Sequence, residues 1–80
     1  MTKTLNELQP GESGIVVKVT GSGQIRRRIV DMGIVSGTRI LVQKLAPLGD
    51  PMEIKVKNFN LSLRMTEAAT IEVDTISKTV

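Results

Sequence analysis

Met52-Glu53-Ile54-Lys55-Val56-Lys57, then Asn58, then Phe59-Asn60-Leu61-Ser62-Leu63 is the stretch that decides the fold. Met52, Ile54 and Val56 alternate with Glu53, Lys55 and Lys57, and Phe59, Leu61 and Leu63 alternate with Asn60 and Ser62. A period of two sends successive side chains to opposite faces, as in a half-buried strand. Asn58 between the two runs is a turn residue, since its short polar side chain bonds to nearby backbone and tolerates turn conformations. The pattern continues outward. Thr38 to Ala46 places Ile40 and Val42 on one face and Leu41 on the other. After Gly14, the residues Ile15, Val17 and Val19 alternate with Val16 and Lys18, and Ile71 and Val73 make a last short run. The strands expected are 15–20, 38–46, 52–57, 59–63 and 70–74. Five short strands joined by tight turns predict a mainly β fold, a small closed or nearly closed antiparallel barrel. Leu5 and Leu8, three apart and stopped by Pro10-Gly11, read as one helical turn, and Thr66 to Ala69 as another. Residues 75–80 read as a loose tail. The 80 residues make a single domain.

One segment breaks the two-residue period. Ile25, Ile29 and Met32 fall at i, i+4 and i+7, which predicts a short helix capping one end of the barrel from the first long connection. Ser22 is the expected N-cap, its hydroxyl accepting a backbone N–H that the first turn leaves unpaired. Gly33 is the expected residue just past the C-terminus, where a left-handed conformation closes the helix. Asp31-Met32-Gly33 therefore reads as helix termination, with Met32 filling core space. Gly21-Ser22-Gly23 lacks the third glycine and the βαβ setting of a dinucleotide loop.

Composition removes most chemistry. The chain has no cysteine and no histidine. Disulfides, thiolate metal sites, thiol nucleophiles, the usual base near neutral pH and the commonest zinc and iron ligand are all absent. Eight carboxylates are scattered along the chain, and no nucleophile–base set appears. No enzyme activity, cofactor, catalytic residue or metal-ligating residue is expected, nor a tight ferrous site. Eleven lysines and arginines against eight acids leave a net charge of +3. Phe59 is the single aromatic residue, too few for base stacking or a polyproline groove, so nucleic acid is not expected as a partner. No apolar run reaches the roughly 20 residues that span a bilayer, and the N-terminal stretch lacks the apolar core of a signal peptide. A cytoplasmic protein without direct membrane insertion is the expectation.

Five residues are candidates for partner binding: Arg26, Arg27, Arg28, Leu48 and Arg64. Successive helical residues lie about 100° apart, so the three arginines fan around the helix. At least one is expected to lie along the barrel with its stem packed. Asp31, at i+4 from Arg27 and i+3 from Arg28, is expected to take one of them in a local ion pair. The remainder can dock on an acidic protein face or form a solvated rim. Pro47-Leu48-Gly49-Asp50-Pro51 is a loop stiffened by two prolines. Leu48 at its tip either folds back over the barrel mouth, the reading preferred, or enters a partner pocket. Arg64 extends the basic face or pairs with Glu67 or Glu72.

The ordered set Leu5-x-x-Leu8-x-Pro10-Gly11-Glu12-x-Gly14, Gly21-Ser22-Gly23, Arg26 to Gly33, Gly37-Thr38, Ala46 to Pro51 and Leu61-Ser62-Leu63-Arg64 resembles the FeoA family over about residues 4–74. The resemblance implies an SH3-like β-barrel and a non-enzymatic accessory protein of bacterial ferrous iron transport. It implies docking on the cytosolic GTP-binding region of the membrane permease FeoB, to regulate its GTPase cycle or to stabilise the complex. The alternatives are a basic nucleic-acid-binding module and a homo-oligomeric SH3-like interaction module.

Overall fold

Six antiparallel strands form one sheet in the computed structural model, which describes residues 2–75. They are β1 (Thr2–Thr4), β2 (Ser13–Val19), β3 (Arg39–Leu45), β4 (Met52–Val56), β5 (Phe59–Leu63) and β6 (Ile71–Thr75), in the order β1-β6-β2-β3-β4-β5. Two helices, α1 (Gly23–Asp31) and α2 (Met65–Ala68), and a 3-10 turn at Leu5–Glu7 complete the fold. The mainly β architecture and the helix in the first long connection are as the sequence predicts. The sheet is open rather than a closed barrel, with β1 and β5 as its edges. The additional strand, β1, is three residues of Thr-Lys-Thr paired to β6 with no hydrophobic alternation to reveal it. Of the expected tail, Thr75 belongs to β6, and 76–80 lie outside the described residues.

β4 buries Met52, Ile54 and Val56, and β3 buries Ile40 and Val42, in the phase their alternation requires. β2 does not keep its expected phase. Its buried positions are Gly14, Val16 and Val19, whereas Ile15 and Val17 are exposed. The cause is a β-bulge: pairing with β6 slips between Val16 and Lys18, and one extra residue reverses which face the following side chains take. In β5, Leu63 is buried, but Phe59 stands 68% exposed beside the Lys57-Asn58 turn on an edge strand.

α1 seats Ile29 in the core and Met32 against it, but Ile25 is exposed, so the buried stripe is narrower than its spacing predicts. Ser22 occupies the N-cap position without a side-chain cap bond. Gly23, the first helical residue, has φ +62°, outside the helical range, which upsets the alignment that hydroxyl capping needs. The other end closes as expected. Gly33, at φ +86°, donates its N–H to Val30 O at 2.9 Å, and Ile34 donates to Ile29 O at 3.2 Å. These are the paired bonds of a Schellman motif, with Ile29 and Ile34 both buried beneath it. Thr38 then fastens the turn into β3: its hydroxyl accepts the Val35 N–H and donates to Gly33 O.

Candidate functional site

The three adjacent arginines of α1 have three different fates. Arg26 turns back along the sheet, and its Nη1 donates to Val19 O at 2.7 Å. The residue borders a groove of about 290 Å³ with Val17, Val30, Ile34 and Val35. Arg28 reaches the other way, with Nε 2.9 Å from Glu67 Oε2. The local pair expected with Asp31 does not form. Glu67 outcompetes it because its side chain is 9% exposed, and a carboxylate so withdrawn from water requires a charged partner. Arg27 makes no ion pair among the described residues.

Glu67 organises this end of the molecule. Its Oε1 accepts the Arg64 N–H at 3.0 Å, the reciprocal half of a capping box at the start of α2. Its Oε2 holds Arg28. One buried carboxylate therefore fixes α1 to α2 and satisfies a helix-terminal donor. The loop joins the same arrangement: Asp50 Oδ1 accepts the Met65 N–H at 3.0 Å. Two internal bonds close that loop, Gly49 N–H to Ala46 O at 2.7 Å and Ala46 N–H to Pro51 O at 3.0 Å. Leu48 does not fold back; it is 96% exposed. A closed loop tied to α2 leaves its tip no slack to reach the core.

Two shallow hollows meet at Arg28. One, of about 350 Å³, is lined by Gln24, Arg27, Arg28, Asp31 and Met32. The other, of about 230 Å³, is lined by Arg28, Pro51, Ser62 and Arg64. The fold thus gathers Arg27, Arg28 and Arg64 beside the loop that carries Leu48, and sends Arg26 elsewhere. Guanidinium groups in this setting can grip carboxylates in two-point contacts. Among the described residues no group of three or more metal-ligating side chains comes together. The organisers, Glu67 and Asp50, were not among the residues singled out for partner binding. Arg64 is not the Ser, Thr, Asp or Asn that announces a capping box, so the sequence carries no such signal for the first.

A family model for the FeoA domain matches residues 3–75. The chain belongs to the FeoA family. It is 45% identical over 73 residues to the Fe(2+) transport protein A/Fe(2+) transporter FeoB fusion protein of Porphyromonas gingivalis, a match covering 91% of this chain and 9% of that protein. The chain thus spans about a tenth of that relative's length. The FeoA-like protein of Clostridium acetobutylicum superposes with a TM-score of 0.91 at 35% identity, covering 99% of this chain and 92% of the other. The zinc complex of Stenotrophomonas maltophilia FeoA, described as a prokaryotic SH3-domain protein, superposes with a TM-score of 0.78 at 31% identity, covering 92% and 89%. The fold of this FeoA protein is accordingly SH3-like. Among the described residues no helix is long and apolar enough to cross a membrane.

Proposed function

We infer that this FeoA protein is a non-enzymatic, cytoplasmic accessory and regulatory protein of bacterial ferrous iron uptake, docking on the cytosolic region of the FeoB permease. The observation that carries this reading is the P. gingivalis relative, in which a segment 45% identical to nine-tenths of this chain shares one polypeptide with FeoB. Fusion maintains two domains at high effective concentration, which serves a pair that must meet repeatedly. The docking face is the one around Arg28: Arg27, Arg28 and Arg64 supply charge, and Leu48 supplies an apolar anchor on a loop whose conformation is already ordered. Arg26 contributes by holding α1 to β2. Preorganisation favours binding, because little side-chain and loop freedom remains to be lost.

Titration of the purified chain with the cytosolic GTP-binding region of the cognate FeoB, and with full-length FeoB in nanodiscs, tests the reading. Saturable binding to either, with a change in GTP hydrolysis or iron uptake, is expected. Absence of binding to both overturns it.

A further inference from the structure

A second cationic surface lies on β3, β4 and the turn that follows β4. Arg39, Lys55 and Lys57 line a groove of about 590 Å³ together with Ser13, Thr38 and Leu41. The strand register explains the gathering. Ser13 pairs with Leu41 and Leu41 with Lys55, so these three form one row across β2, β3 and β4. Neighbouring strands are only about 4.8 Å apart, so such rows are closely spaced. No carboxylate lines the groove, and none of its three cations has an ion-pair partner among the described residues. Glu53, the acid nearest in sequence to Lys55, is taken by Lys44 at 3.6 Å. The whole chain carries an excess of three positive charges, and this groove alone holds three unneutralised cations. Like charges held together without counter-charge work against the folded state, and a negative ligand relieves that repulsion.

We propose that this groove binds an acidic, extended segment of a protein partner, with carboxylates on Arg39, Lys55 and Lys57 and an apolar side chain on Leu41. Its volume falls within the range of about 300–1,000 Å³ found for ligand clefts. The half-buried Leu41 row gives an apolar floor between hydroxyls and cations. A mixed acidic and apolar segment matches both, whereas a nucleic acid would find no aromatic side chain in the lining. The site is independent of docking through α1, and either can fail alone.

The test uses the full chain labelled with nitrogen-15 and a six-residue peptide of four glutamates and two leucines. Amide shifts are expected at Ser13, Thr38, Arg39, Leu41, Lys55 and Lys57. Arg39→Gln, Lys55→Gln and Lys57→Gln should each weaken binding about two- to fivefold, and Lys18→Gln, at an exposed cation outside the groove, should leave it unchanged. Binding should weaken from 0.05 M to 0.5 M salt as screening shortens the reach of the charges. Four results would overturn the proposal: equal binding of the peptide with glutamine for glutamate; shifts confined to α1; indifference to the three groove variants; or tighter groove binding of inorganic phosphate or a thymidine hexanucleotide than of the peptide.

Discussion

Arg28 Nε and Glu67 Oε2 lie 2.9 Å apart, joining α1 to α2, while the second oxygen of the same carboxylate accepts the Arg64 N–H at 3.0 Å. The acid is withdrawn from water and the guanidinium is largely in it. The pair is therefore asymmetric: Glu67 depends on its partners more than Arg28 does. Removing the guanidinium leaves the withdrawn carboxylate without its charged partner. Removing the carboxylate leaves a helix-terminal N–H and a cation without their acceptor.

Glu67→Ala should accordingly lower stability by about 1–2 kcal/mol, combining loss of a cap with loss of the ion pair. Glu67→Gln, which keeps an acceptor for the Arg64 N–H, should cost less. Urea denaturation of both, with Arg28→Ala and the double variant, completes a cycle in which the Arg28–Glu67 coupling should be about 0.5–1 kcal/mol.

Arg26 and Arg27 should separate cleanly despite being neighbours. Arg26→Ala removes the bond to Val19 O and should cost about 1 kcal/mol, a fall of about 4–8 °C in melting temperature for a domain of this size. Arg27→Ala should leave stability within about 0.5 kcal/mol of wild type while weakening FeoB binding. Thermal melts beside a binding titration check both. The docking reading is wrong about Arg27 if its variant binds FeoB as wild type does.

Leu48→Ser should not change the melting temperature, because the side chain is 96% exposed and has no packing to lose. Affinity for FeoB should fall about tenfold or more if the leucine fills a partner pocket, in the range of interface anchors. Unchanged affinity would remove Leu48 from the docking face and leave the arginines to carry it.

Gly33→Ala should destabilise by about 1 kcal/mol. A Cβ there meets nothing within 4 Å, so the cost is conformational, from φ +86°, and not a clash. Gly33→Asn should recover part of the loss, since asparagine tolerates the left-handed region. Equal stability of the glycine and alanine proteins in urea would show that the Schellman closure contributes little.

The sequence by itself determined the strand periods, the helix and its glycine stop, the hairpin around Asn58, the absence of histidine and cysteine chemistry, and a family resemblance over nearly the whole chain. The strand periods, the helix stop and the hairpin are local properties: they depend on residues within a few positions of one another, where backbone sterics and side-chain alternation act directly. What failed was nonlocal. The β2 bulge is set by pairing with β6, and it puts Val19 on the buried face of Val16, leaving Ile15 and Val17 exposed although the three alternate as one face. Asp31 stood at the right helical spacing for an ion pair and lost its arginine to Glu67, because burial on the far side of the fold outweighs proximity along the chain. Leu48 is exposed because Asp50 ties its loop to α2, and Arg39 joins Lys55 and Lys57 because β3 pairs with β4. Which charges are used up inside the molecule and which are left for a partner is decided by neighbours that only the folded chain brings together.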